Sequence, residues 1–315
     1  MLPSPFRIPF TAMPELLPHQ HRYSIDGHVL EAEKLSPGLH ITATPIGNLR
    51  DITLRALATL AGADVILCED TRVTAKLTSR YGIETRLAPY HDHNAAKVRP
   101  RVIARLKEGA AIALVSDAGT PLVSDPGYKL VRAAIAEGVS VAFVPGASAS
   151  LAALALSGLP SDRFLFVGFL PERSGERRKM LETLRDVRAT LIVFESARRL
   201  AASLQDIFAL LGEREVAVLR ELTKLHEEAL RGPASEVARQ VAAREVIKGE
   251  VTLVIGPPAE RSVKIDNEEV DAALIASARD LPTAKAALVI AKRYGLSKRD
   301  LYARLLALKS ATPAT

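Results

Sequence analysis

From Leu39 onward the chain alternates short apolar runs with segments of helical periodicity, and this alternation restricts its fold more than any other feature. Runs of strand length occupy 39–44, 64–68, 111–115 and 139–144, while Thr53, Leu57, Leu60 and Val98, Val102, Leu106 recur at helical spacing between them. Strands separated by helices predict βαβ units, and hence an α/β protein whose largely parallel sheet is covered on both faces. A helix over 149–156 stops at Ser157-Gly158-Leu159-Pro160, which sets a domain boundary there. A second rhythm follows: strands at 164–169, 190–194, 215–220 and 250–255, helices at 176–187, 198–211 and 234–243, and an antiparallel strand at 227–230. It predicts a second α/β layer of mixed strand direction, ended by Pro257-Pro258.

The flanks differ from this body. Residues 1–37 hold six of the nineteen prolines and read as a disordered tail, since proline fixes φ and removes a donor. Its His19, His21 and His28 read as solvated side chains. Beyond a charged linker at 259–275, residues 276–315 carry eight Lys/Arg against Asp280 and Asp300. That excess of six equals the net charge of the whole chain, so the rest sums to zero. Helices over 283–294 and 298–308, with Gly295 and Ser297 as stop and cap, make a helix-turn-helix-like unit there. Concentrated cations favour a polyanionic partner, and Lys285, Lys292, Arg293, Lys298, Arg299 and Arg304 are its candidate nucleic-acid contacts. With only 4% aromatics and no Trp, phosphate charge and backbone shape would dominate over base stacking. The domains expected are therefore 1–37, 38–157, 158–258, 259–275 and 276–315.

A single cysteine excludes a disulfide framework and a multi-thiolate zinc site, and fits a reducing, cytoplasmic setting. No apolar run approaches the roughly 20 residues that span a bilayer.

In open parallel sheets, ligands bind beyond the carboxyl ends of the strands. Three Gly/Pro-rich loops fall there: one with Pro45, Ile46 and Gly47, one with Asp117, Gly119, Thr120 and Pro121, and one with Pro145, Gly146, Ser148 and Ala149. Glycine admits close backbone approach and proline stiffens the turn, so together they predict a small-molecule cradle. Neither a dinucleotide fingerprint, a P-loop nor a nucleophile elbow is present.

The strings Thr44-Pro-Ile-Gly-Asn-Leu, Glu69-Asp-Thr-Arg, His91-Asp-His-Asn, Ser116-Asp-Ala-Gly-Thr-Pro-Leu-Val-Ser-Asp-Pro-Gly, Gly158-Leu-Pro-Ser-Asp-Arg-Phe, Glu221-Leu-Thr-Lys and Lys248-Gly-Glu resemble the ribosomal RNA small-subunit methyltransferase I family, within the tetrapyrrole-methylase superfamily. The resemblance runs from Leu39 to Ile255 and into the helical end. It implies two α/β domains with S-adenosylmethionine held between them in the loop cradle. It also implies a homodimer and 2′-O-methylation of a cytidine ribose in the decoding region of 16S rRNA. Three places depart from the family pattern: Pro145-Gly146-Ala147 stands where Pro-Gly-Pro is usual, Glu195-Ser196-Ala197-Arg198-Arg199 lacks a usual histidine, and His226 stands where an aromatic residue is common after Glu-Leu-Thr-Lys. Arg198 cannot replace that histidine as a base.

A ribose hydroxyl is a poor nucleophile, so a base or an alkoxide-stabilising group is expected. The candidates are Asp70, His91, Asp92, His93, Glu195 and Lys224; Arg72, Arg198 and Arg199 are candidate phosphate contacts. A rival reading lets His91 and His93, on one face of an extended segment, ligate a metal. Another begins a helix at Ala95 with Asn94 as its cap.

Overall fold

The computed structural model describes residues 20–259 and 267–311. The chain divides after Pro258 into two compact units.

The larger unit begins with an antiparallel hairpin, β1 (Arg22–Ile25) and β2 (His28–Glu31). Residues 22–31 are therefore not the disordered tail expected for 1–37; most of that stretch, residues 1–19 with His19, lies outside the described residues. Asp26 and Gly27 both take positive φ at the hairpin tip, the backbone that joins tightly turned strands.

The first large sheet contains β3 (Gly38–Thr42), β4 (Val65–Cys68), β5 (Leu87–Pro89), β6 (Ala111–Leu114) and β7 (Val141–Val144), in the order β5-β4-β6-β3-β7, all parallel. Helices α1 (Leu54–Gly62), α2 (Thr71–Arg80), α3 (Asp92–Lys107) and α4 (Tyr128–Ala136) connect the strands. The interior strands β4 and β6 are apolar at every position because alternate residues serve opposite faces. Ile66, Cys68, Ala113 and Val115 pack with α1 and α2; Val65, Leu67, Ile112 and Leu114 pack with Val102 and Leu106 of α3 and Leu130 of α4. Each such fully buried aliphatic side chain stabilises the fold by roughly 1.5–3 kcal/mol.

The second sheet, in the order β11-β10-β12-β9-β8, joins β8 (Phe164–Phe169), β9 (Thr190–Ser196), β10 (Glu215–Arg220), β11 (Glu228–Pro233) and β12 (Glu250–Ile255). Only β8 and β9 run parallel; the other pairs are antiparallel. Helices α6 (Ser174–Leu184), α7 (Leu200–Leu211) and α8 (Ala234–Ala242) cover one face through Leu181, Leu204 and Val237. Helix α5 (Ala149–Ser157) covers the other, its Ala153 and Leu154 against Ile192, Ala217, Leu219 and Val254. By packing, then, α5 serves the second sheet, although the sequence boundary assigned it to the first domain. Ile46, from the loop after β3, enters the same apolar cluster. One buried side chain of the first sheet's loop is thus part of the second sheet's core, which fixes the two lobes against each other.

The smaller unit holds α9 (Asn267–Asp280), α10 (Thr283–Tyr294) and α11 (Lys298–Ala311) around Val270, Leu274, Ile290, Leu301 and Leu305. Residues 267–275 are helical, not the linker expected, because Val270 and Leu274 lie one turn apart on an apolar face. Gly295 takes the left-handed C-cap of α10, and the Ser297 hydroxyl accepts the Asp300 amide at 3.4 Å.

Candidate active site

The carboxyl ends of adjacent β3 and β6 are tied together beyond the sheet. The Thr44 amide donates to the Gly119 carbonyl at 2.8 Å and the Gly119 amide returns to the Thr44 carbonyl at 3.0 Å. Gly119 takes φ +77°, and a Cβ there would lie 3.1 Å from Cγ2 of Ile46. The third loop joins through the Thr120 hydroxyl, which donates to the Ala147 carbonyl at 3.2 Å. The three Gly/Pro loops do converge, and the strand ends position them.

Two hollows flank this junction. The larger, about 680 Å³, opens between the lobes; Ile46, Asp117, Gly119, Thr120, Val123, Asp125, Ser148 and Ala149 line one side, and Phe169, Phe194, Glu195, Arg198, Gly249 and Thr252 the other. The smaller, about 420 Å³, is lined by Pro45, Gly47, Thr74, Lys76, Lys224 and Glu250 among others. Ile46, Asp117, Ala118 and Glu250 border both. Of the residues expected to hold a cofactor, Pro121 is buried, and Pro145 and Gly146 line neither hollow. Gly146 instead packs on the strand-end residue Ala43, where a Cβ would come within 3.0 Å.

The candidate bases separate by chemistry. Asp70 caps α2, and the Arg72 guanidinium and amide hold its carboxyl at about 2, far too low for a useful base. Its amide donates to Asp117 Oδ1 at 2.9 Å, so Asp117 orients the Glu69–Arg72 turn. Lys224 Nζ binds Glu221 at 2.9 Å and Glu250 at 3.1 Å. Burial pulls its pKa down, but these hydrogen bonds outweigh it and raise Lys224 above its ordinary value, so it stays a cation. Its stem lies against Gly47, where a Cβ would be 2.5 Å from Lys224 Cγ. Glu195 is buried and engaged on all sides: Arg199 at 2.6 Å, the Ser203 hydroxyl at 2.6 Å and the Ser196 amide at 2.6 Å. It locks the β9–α7 turn whose next residues line the cavity.

His91 precedes α3 and His93 lies within its first turn, so the pair is not an extended metal-binding arm. Asn94 does not cap a helix at 95; its Oδ1 accepts the His91 amide at 2.9 Å one turn inside a longer helix. His91, Asp92 and His93 line neither hollow. Among the described residues no group of three or more His, Cys, Asp or Glu is arranged to hold a metal ion.

The expected phosphate contacts divide likewise. Arg198 lines the large cavity, and Arg72 is exposed but paired with Asp70. Arg199 is turned inward to Glu195, Ser196 and the Leu170 carbonyl. Arg304 is spent on Asp271 at 2.5 Å and on Asn267 at 2.7 Å, tying α11 to α9. Lys285, Lys292, Arg293, Lys298 and Arg299 remain exposed.

Three carboxylates matter that carried no role in the sequence reading. Glu250 bridges Lys224 to the cavity rim, and burial beside Asp117 raises Glu69 above its ordinary value. Burial pushes Asp125 up to about 6, with Ser116 opposing and Glu69 and Asp117 adding to it. The signals were at hand: Asp125 lies between Pro121 and Pro126 in a loop already singled out.

The cavity suits S-adenosylmethionine on its own terms. Ile46, Val123, Ala149 and Val251 offer an apolar wall for an adenine, and the left-handed Gly119 backbone is bare where a Cβ would intrude.

Residues 38–238 match the family model described as tetrapyrrole (corrin/porphyrin) methylases, and 264–309 match the RsmI C-terminal HTH domain. A ribosomal RNA small subunit methyltransferase I of Mesorhizobium japonicum is 51% identical over 282 residues, spanning 89% of this chain and 95% of its own length. Its namesake from Erythrobacter litoralis is 50% identical over 283 residues, spanning 90% and 99%. The crystal structure of the methyltransferase CobJ superposes on 71% of this chain and 95% of its own, with TM-score 0.55 at 18% identity, a likeness of fold.

Proposed function

The chain belongs to the ribosomal RNA small subunit methyltransferase I family, S-adenosylmethionine-dependent methyltransferases, and from that premise we propose that it methylates the 2′-oxygen of a cytidine ribose in the decoding region of 16S rRNA. The observation that carries the reading is the interlobe cavity of about 680 Å³, bordered by the Thr44–Gly119 junction on one side and by the 247–252 segment before and within β12 on the other. In it Gly119, Thr120, Ser148 and Ala149 hold the methyl donor, with Ile46 and Val251 against its apolar part. The donor, when bound, supplies an electrophilic methyl carbon on a sulfonium. The protein's part is to orient that carbon toward the ribose oxygen, exclude water and accept a proton. Arg198 at the rim and the exposed cations of α10 and α11 receive RNA phosphates.

The protein acts in the cytoplasm as a homodimer. Each large sheet ends on an edge strand with exposed apolar side chains, Phe143 on β7 and Phe164 and Leu165 on β8, a surface suited to burial against a second copy. Among the described residues no helix is long and apolar enough to cross a membrane.

Incubating the protein with labelled S-adenosylmethionine and small subunits lacking their modifications tests the reading. Label mapped by mass spectrometry to a cytidine ribose supports it. Label on a nucleobase, or label accepted only by a porphyrin precursor, contradicts it.

A further inference from the structure

Four carboxylates line the interlobe cavity: Asp117, Asp125, Glu195 and Glu250. Three are engaged. Asp117 accepts the Asp70 amide, Glu195 is locked by Arg199 and Ser203, and Glu250 holds Lys224. The charges that bear on Asp125 are instead the acids Glu69 and Asp117, with only the Ser116 hydroxyl as a stabilising neighbour.

The backbone around Asp125 is held in an unusual shape. Leu122 and Ser124 take φ +76° and +67°, a region that costs any residue with a Cβ. Behind them Gly127, at φ +130°, sits so close that a Cβ would lie 2.6 Å from Leu122 Cδ2 and 2.9 Å from Leu114 Cδ2. The loop is thus packed shut against the sheet, and Asp125 is kept at the cavity wall opposite Phe169, Phe194 and Arg198.

We propose that Asp125 is the proton acceptor for the attacking ribose hydroxyl, an inference that rests on the methyl-transfer reading above. As a lone pair of the ribose oxygen forms the bond to the methyl carbon, the hydroxyl proton passes to a carboxylate oxygen of Asp125. The electron pair of the breaking carbon–sulfur bond stays on sulfur, whose positive charge is thereby cancelled. Asp125 afterwards returns its proton to water. The charged groups around the same cavity are Glu69 just after β4, Asp117 after β6, Glu195 near the end of β9, Arg198 between β9 and α7, Lys248 before β12 and Glu250 at its start. With burial lifting it to about 6, Asp125 is largely ionised at neutral pH yet more basic than a surface carboxylate, as a general base requires.

The test is Asp125→Asn, an isosteric change, in the full chain. Single-turnover methyl transfer should fall by about 10²–10⁴-fold and lose its acidic limb near pH 6, while calorimetric S-adenosylmethionine affinity stays within about twofold. Carbon-13 NMR of aspartate-labelled wild-type protein should show one carboxyl titrating with that same limb and absent from the variant. If the variant does not fold, coincidence of the wild-type carboxyl titration with the wild-type pH–rate profile decides. A variant rate within about threefold of wild type, a cofactor affinity that falls in step with the rate, or a wild-type carboxyl that titrates in the ordinary aspartate range overturns the assignment. Wild-type protein that methylates no ribose oxygen overturns the proposed function instead, whatever Asp125→Asn does.

Discussion

Replacing Gly119 with alanine separates backbone strain from cavity geometry. At φ +77° an L-residue costs about 1–2 kcal/mol. The added Cβ also comes 3.1 Å from Cγ2 of Ile46, a buried side chain wedged among Ile192, Ala217 and Val254. Because Ile46 cannot move without disturbing the second sheet, overpacking of about 1–3 kcal/mol is added. Gly138 supplies the control: its φ is +71° and nothing lies within 4 Å of a built Cβ. Urea denaturation of Gly119→Ala and Gly138→Ala should therefore differ by about 1–3 kcal/mol, with Gly138→Ala losing only the backbone share. In calorimetry Gly119→Ala should bind S-adenosylmethionine at least about tenfold more weakly, tenfold being about 1.4 kcal/mol, while Gly138→Ala binds normally. Equal stabilities and equal affinities for the two variants would refute both the Ile46 contact and the placement of the donor beside Gly119.

Further outcomes follow from other contacts. Glu195→Ala strands Arg199 and Ser203 at a buried site, so chemical denaturation should register a loss of about 3 kcal/mol; an unchanged midpoint would mean that Glu195 is no structural lock. For Asp125, a folded-state pKa raised to about 6 means that stability is intact below about pH 4 and falls as pH rises through 6. Asp125→Asn should accordingly melt like wild type at pH 4 and be more stable at pH 7 by about 1–2 kcal/mol, a figure reduced for partial solvent access. Substituting Lys292, Arg293, Lys298 and Arg299 together with alanine should weaken RNA binding and lower the slope of log affinity against log salt by about 3, sparing cofactor affinity. An unchanged slope would remove the phosphate contacts from α10 and α11.

Much of this fold could be read before the structure because its signals were local. The strands at 164–169, 215–220 and 250–255 and the helix at 283–294 fall where periodicity and stop residues put them. What was missed is what a stronger neighbouring signal hid. The prolines of 1–37 obscured Asp26-Gly27 between two strand-length segments, a hairpin cue in its own right. Five acids against two cations made 259–275 look like linker, although Val270 and Leu274 mark an apolar helix face. Strand β5 is three residues ending in Pro89, too short for periodicity to register.

In the site, loop chemistry was legible because glycine and proline constrain backbone locally. Pairing was not, since Lys224–Glu250 and Arg304–Asp271 depend on how distant elements fold together. The same limit hid Asp125: its carboxylate stands out only once Asp117, Glu195 and Glu250 are seen to be engaged elsewhere.

A crystal structure of the protein with S-adenosylhomocysteine bears most directly on the central claim. Density for the ligand between the two sheets, its apolar ring against Ile46 and Val251 and its sulfur turned toward Asp125, is the expected result. Density confined to the hollow beside Lys224, or to any other surface, contradicts the account.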